Sequence, residues 1–182
     1  MLETKKEQNR LMPGEIKFTN KEIFITFLDV VSFIALSLVI FGIFSLGFFV
    51  APVIFKNLTP RPLASEIMTD IFLRYYPFAF VCSLIALLND SMRFFLSFKI
   101  SKNKKTLIIR LACIFAVCVM IGYSDKKLLP EINQMRLEQK GPTLWTNNHF
   151  TELHKQSEKL GKLSFIVGLI PLILIITLRK KV

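Results

Sequence analysis

The chain is poor in the residues that hydrolases, redox proteins and metal proteins depend on. It has only three cysteines and two histidines in 182 residues. Cys82, Cys113 and Cys118 are odd in number, show no C-x-x-C or zinc-type spacing and lie inside apolar stretches. Structural disulfides and a cysteine metal site are therefore not expected, and the thiols read as small packing residues. No G-x-x-x-x-G-K-[ST], G-x-G-x-x-G, H-E-x-x-H or G-x-S-x-G occurs, which removes the common nucleotide-binding, zinc-protease and serine-hydrolase signatures. Acidic residues are also scarce, 13 against 24 Lys and Arg, for a net charge of +11. The bases lie at the edges of apolar segments and not among aromatics on a polar face, so nucleic acid is not the expected partner.

Charge is missing altogether from Val30 to Phe55, 26 consecutive residues without Asp, Glu, Lys or Arg. A transmembrane helix needs about 20 predominantly apolar residues. The composition is 52% hydrophobic, with 18 Phe, which a soluble domain of this size could not bury. The lipid bilayer is thus the first expected partner. The first 22 residues mix five Lys/Arg with four Glu and precede a stretch too long for a signal-peptide core, so the first helix is expected to stay in place.

Three further spans follow. Tyr75–Asn89 is uncharged, and its apolar pattern resumes after Asp90 and Arg93, which stand three apart, share a helix face and are expected to pair. Thr106–Ser124 is interrupted only by Arg110, expected to snorkel from near its end. Leu163–Leu178 is bounded by Lys162 and Arg179. The expected fold is all-α: a four-transmembrane-helix bundle, with spans at about 28–55, 75–98, 106–124 and 163–178 in a domain covering 23–182, after a cytoplasmic polar segment at 1–22. Lys and Arg density is highest in the N-terminal segment, the 89–110 region and the C-terminal tail. An even number of spans with both termini cytoplasmic fits that bias. In a bacterium this would be a multi-pass protein of the inner membrane.

The connection over 125–162 is too long for a simple turn and has few turn residues apart from Gly141-Pro142. Helix three is expected to continue past Pro130, and a new helix to run from about Thr143 into span four, so that the two project from the bilayer as a hairpin. His149 and His154 both lie there, five apart, about 140° around a helix, which disfavours a two-histidine metal clamp. No metal or other cofactor is expected. Folding the hairpin back between Gly141 and Pro142, with one turn of slip, would bring Glu131 and Asn133 toward His154, and Lys126 or Lys127 toward Glu158. His154, Ser157, Asn133 and Glu158 are the candidates for chemistry, weighed against a wet hydrogen-bonding role for His154 and a lysine partner for Glu158. Tyr75 and Tyr76 read as an interfacial aromatic belt. Asp29 and Asp90 are candidate proton-relay carboxylates near the ends of their spans. Small residues four apart at Gly47/Ala51, Ala79/Ser83, Ala112/Ala116 and Ser164/Gly168 allow close helix approach.

The order and spacing of several motifs resemble one family. Gly47-Phe-Phe-Val-Ala51-Pro52-Val-Ile-Phe55, then Phe72-Leu-Arg-Tyr75-Tyr76, Leu129-Pro130-Glu-Ile-Asn133 with Met135, and Phe150-Thr-Glu-Leu-His154-Lys-Gln-Ser157 are similar to the transmembrane protein 205-like family, also described as domain of unknown function 4149. The resemblance covers Phe33 to Leu178 and implies a small four-helix membrane protein, with Ala51, Pro52, Phe55, Tyr75, Tyr76, Pro130, His154 and Ser157 as its motif residues. The family pattern has Asn four residues after the Ser, where this chain has Gly161, which puts a polar site using that Asn in doubt. A more distant similarity to anthrone-oxygenase-like membrane proteins suggests an enzyme by fold analogy only.

Three functional readings follow. The first is a structural or binding bundle, assembling with itself or with another membrane protein. The second is a membrane enzyme using His154 as acid and base. The third is a transporter component acting as an oligomer, with Asp29 or Asp90 facing the pathway. The absence of catalytic signatures favours the first.

Overall fold

A computed structural model describes residues 20–59, 61–98, 103–138 and 147–179. These residues form helices almost throughout, and no strand occurs among them. Helix α1 (Asn20–Ser45) passes through a π-helical turn (Leu46–Val50) into α2 (Ala51–Asn57). Helix α3 spans Arg61–Ser97. Helix α4 (Lys104–Tyr123) passes through a second π turn (Ser124–Leu128) into α5 (Leu129–Glu138), and α6 spans Asn148–Arg179.

Four helical rods are long and apolar enough to cross a membrane: Asn20–Asn57, Leu63–Ser97, Lys104–Glu138 and Asn148–Thr177. The chain is a multi-pass membrane protein with the expected all-α, four-helix architecture. Its core is a seam of side chains from all four rods. Leu36, Val39 and Ile40 of α1 meet Tyr76, Ala79 and Ala86 of α3, Ile114, Val117 and Ile121 of α4, and Leu172 and Ile175 of α6. Apolar residues such as Phe41, Leu88, Phe115 and Ile173 point outward, as expected of helices whose surroundings are lipid tails.

Close approach depends on small-residue positions, among them Gly168 and Gly42. A Cβ on Gly168 would lie 2.0 Å from Ile40 Cδ1, so α6 meets α1 through a missing side chain. A Cβ on Gly42 would lie 2.3 Å from Tyr75 Oη, and the space it leaves lets the Tyr75 ring lie against α1. Of the four small-residue pairs, Ala79/Ser83 and Ser164/Gly168 are buried, whereas Gly47 and Ala112 are exposed. A Cβ added at Gly47 would meet nothing within 4 Å.

Both π turns lie just before a proline, although Pro77 and Pro171 sit inside regular α-helices without one. Pro52 and Pro130 lack an N–H, and their rings would clash with the carbonyl four residues back in a regular α-helix. The residue before each proline instead donates five residues back, Ala51 N–H to Leu46 O and Leu129 N–H to Ser124 O. Each turn widens and the helix continues, without a sharp break.

Helix α5 and the first half of α6 form the expected hairpin. A second apolar core of Leu128, Ile132, Phe150 and Leu153, with Met135 and Leu160 against it, joins them. The expected turn at Gly141-Pro142 lies outside the described residues. Asn147 caps α6, its side-chain oxygen accepting from the His149 and Phe150 N–H groups at 2.9 and 3.4 Å. Arg136 ties α5 to the start of α3, donating to the Glu66 carbonyl at 2.8 Å and pairing with Asp70 at 3.1 Å.

Candidate functional site

The strongest concentration of chemistry lies between α1, α3 and α4, near the end of the bundle where Asp29 enters the apolar part of α1. Asp29 Oδ1 accepts from Arg110 Nη1 at 2.8 Å and is ion-paired with Arg93, whose Nε lies 2.7 Å away. The other terminal nitrogen of Arg110, Nη2, pairs with Asp90 Oδ1. One guanidinium on α4 thus bridges carboxylates on two other helices, a use of its rigid fork that a lysine could not reproduce. Arg110 is 0% exposed, Asp90 3%, Asp29 6% and Arg93 9%.

Two acids and two arginines make the group neutral. A lone charge in such surroundings would be costly, and each of these is offset by a partner within contact distance. The donors do not all find acceptors: Arg93 Nη1 and Arg110 Nε are buried without a hydrogen-bond partner among the described residues.

This arrangement corrects three expectations. Arg110 does not snorkel to the interface; its side chain is fully buried. Asp90 and Arg93 share a helix face but do not pair with each other, since Arg93 takes Asp29 and Asp90 takes Arg110. Asp29 and Asp90 are not isolated carboxylates waiting for a proton. Both lie in one ion-paired group.

The tyrosines are also placed differently from a rim of aromatics. Tyr76 is 4% exposed, within the core, and hydrogen-bonds the Ser124 side chain at the start of the second π turn. Tyr75 Oη donates to the carbonyls of Val39 at 2.6 Å and Leu38 at 3.1 Å. Gly42 on α1 leaves room for the Tyr75 ring.

The hairpin candidates are dispersed. His154 is exposed and its ring stacks on Phe150, with centroids 6.3 Å apart. Glu158 pairs with Lys162 at 2.6 Å, one turn along its own helix, in place of Lys126 or Lys127. Glu131 meets His149, at 3.1 Å, and not His154. That pair sets the hairpin register about one turn away from the slip that would have joined Glu131 to His154. Asn133 has a buried side-chain oxygen without a hydrogen-bond partner, and Ser157 is half-buried. Among the motif residues, Ala51 is half-buried, and Pro52, Phe55 and Pro130 are exposed. Among the described residues, no group of three or more His, Cys, Asp or Glu side chains could hold a metal ion.

Sequence reasoning identified each member of the buried ion group but not the group itself. The available signal was at least one acid or base in each of three spans near the same end, which becomes informative only when antiparallel spans are aligned by depth.

Residues 34–140 match the family described as Domain of unknown function (DUF4149). That stretch contains Asp90, Arg93, Arg110 and both prolines of the π turns. No curated protein and no solved structure matches the chain.

Proposed function

The chain belongs to the family described as Domain of unknown function (DUF4149), and from that premise we propose that it works as a structural or binding bundle of the membrane. In this reading it assembles with itself or with another membrane protein and carries out no reaction of its own. The observation that carries the reading is the neutral Asp29–Arg93–Arg110–Asp90 group. Its charges are spent on one another across three helices, which suits a clamp that holds a scaffold rigid. The outward-facing Gly47 and Ala112 add to it, since small residues on a lipid-facing surface permit close contact with a further helix. The motif spacing supports a finer placement beside the transmembrane protein 205-like proteins. The Lys and Arg bias supports both termini on the cytoplasmic side, with the ion group at the inner end of the bundle.

The test separates a clamp from a working charge site. The quartet is replaced together by neutral residues of similar shape, Asp29→Asn, Asp90→Asn, Arg93→Met and Arg110→Met, and the variant is compared with wild type in cells deleted for the gene. A clamp tolerates the joint replacement once the bundle folds. A folded variant that fails to restore the deletion phenotype would overturn the reading in favour of transport or catalysis by these charges. Light scattering on the protein in nanodiscs checks the assembly half: an oligomer or stable complex weakened by Gly47→Leu is expected, and a strict monomer without a partner would refute it.

A further inference from the structure

The ion group fixes the first three rods at one depth, so a difference in their apolar length has to appear at the opposite end of the bundle. Val30–Phe55 is uncharged over 26 residues, about 39 Å of helix. The uncharged stretches of the other rods, 75–89, 111–124 and 163–178, run to 14–16 residues, about 21–24 Å. The hydrocarbon core of a bilayer, about 30 Å thick, lies between these lengths.

Contacts between the rods put the charges at that far end on a common scale. Arg74 precedes Tyr75, whose ring lies against Gly42, and so stands level with about residue 43 of α1. The Phe165 ring stacks on Phe44, with centroids 5.4 Å apart. Lys162, three residues on, is therefore level with about residue 47. A Cβ on Gly168 would meet both Ile40 and Val117, which puts Lys126 level with about residue 49. The Lys126 ammonium leans back over the Phe80 ring, 5.9 Å from its centroid. Arg74, Lys126 and Lys162 are all exposed. Together they make a belt of cations across three rods, at the height where headgroups are expected.

The first rod has no charge at that height. Its next charged residue is Lys56. Phe48, Phe49, Val53 and Phe55 are 68%, 62%, 59% and 42% exposed, and Phe55 stands about 9 Å past the level of Lys126. At similar heights the other rods expose Glu66, Gln134 and Lys155. The apolar end of the first rod also continues the lipid-facing surface of Phe41, two turns below on the same helix. That continuity selects the occupant. The acyl chains that cover α1 extend along it to the next charge, because a span longer than the local hydrocarbon is accommodated by the bilayer.

We propose that the α2 end of the first rod is a lipid-docking knob, with Phe49, Val53 and Phe55 held among acyl chains above the height at which the other three rods meet headgroups. The lipid surface is then inclined across the molecule, higher beside α2 than beside α3, α4 and α6. Tilting of the bundle or local thickening of the leaflet supplies the incline, each at modest cost. The knob rests on the membrane bundle and the depth set by its ion group, and it is independent of whether the bundle assembles.

The experiment uses the full chain in phosphatidylcholine vesicles, with the one tryptophan removed by Trp145→Phe. Into that background go Val53→Trp, Phe41→Trp as the lipid-facing reference and Gln134→Trp as the reference in the polar hairpin. Fluorescence quenching by dibrominated acyl chains reads contact with lipid, and quenching by acrylamide reads contact with water. Val53→Trp is expected to be quenched by the brominated chains at least half as strongly as Phe41→Trp. Acrylamide is expected to quench it at least three-fold less than Gln134→Trp. Weaker quenching by the brominated chains overturns the proposal, whether acrylamide takes their place, which puts the knob in water, or neither quencher reaches it, which means that protein covers it. Should Val53→Trp not fold, Phe55→Trp exchanges ring for ring and is read in the same way. A strict monomer in which Val53→Trp meets the brominated chains refutes assembly alone, and an oligomer in which it meets acrylamide refutes the knob alone.

Discussion

Arg110→Leu is the perturbation that reads the ion group most directly. Arg110 is completely buried and is the ion-pair partner of both Asp29 and Asp90. Removing it leaves Asp29 with Arg93 but strands Asp90, 3% exposed, with no cation bonded to it. The group then carries a net charge of −1 inside the bundle. Breaking a buried ion pair on one side costs about 3–5 kcal/mol, most of it the penalty for the charge left behind. A second substitution, Asp90→Asn, removes that charge. The Arg110→Leu/Asp90→Asn variant retains only the Asp29–Arg93 pair, again neutral, and should recover at least about 2 kcal/mol of the loss, a coupling within the range known for side chains in one network. Reversible unfolding of the purified protein in mixed micelles, followed by loss of helical signal, measures all four corners of the cycle. If Arg110→Leu is within about 1 kcal/mol of wild type, or if the double variant is no more stable than the single, the three helices are not held in the way described.

Two further outcomes follow from packing. Gly168→Ala should lower the melting temperature by forcing its methyl against Ile40 Cδ1, at a cost of about 1–3 kcal/mol for overpacking. Ile40→Val, which deletes that carbon, should restore part of the loss in the double variant; no restoration would mean that α1 and α6 do not meet there. In the hairpin, Phe150→Ala should cost about 3–5 kcal/mol because that ring is 2% exposed in the second core. His149→Ala should cost under about 1 kcal/mol, because its contact with Glu131 is exposed. Limited proteolysis of the hairpin ranks the two, and equal sensitivity would show that the apolar contacts are not what holds α5 to α6.

The four-helix membrane architecture was legible before any coordinates, because uncharged stretches of 14 to 26 residues are a one-dimensional signal and lipid imposes it directly. The hairpin was legible for a similar reason: the 125–162 connection carries helix-compatible residues and only one strong breaker pair. Pro52 and Pro130 marked where the helices would be disturbed, though not that a π turn would absorb the disturbance.

What depended on tertiary structure was the pairing of polar groups. Asp29 and Arg110 lie 81 residues apart and meet only when α1, α3 and α4 come together at one depth. Spacing within a single helix proposed Asp90 with Arg93, because neighbours on one helix are all that spacing can compare. The same limit put Tyr75 and Tyr76 at an interface, when space beside Gly42 and a partner at Ser124 draw them inward. It also joined Glu131 to His154, when the hairpin register gives Glu131 to His149. The sequence by itself determined which segments enter the membrane, since that depends on each segment's transfer from water to lipid. Which buried charges face one another depends on the relative rotation and depth of whole helices, and that was decided only by their packing.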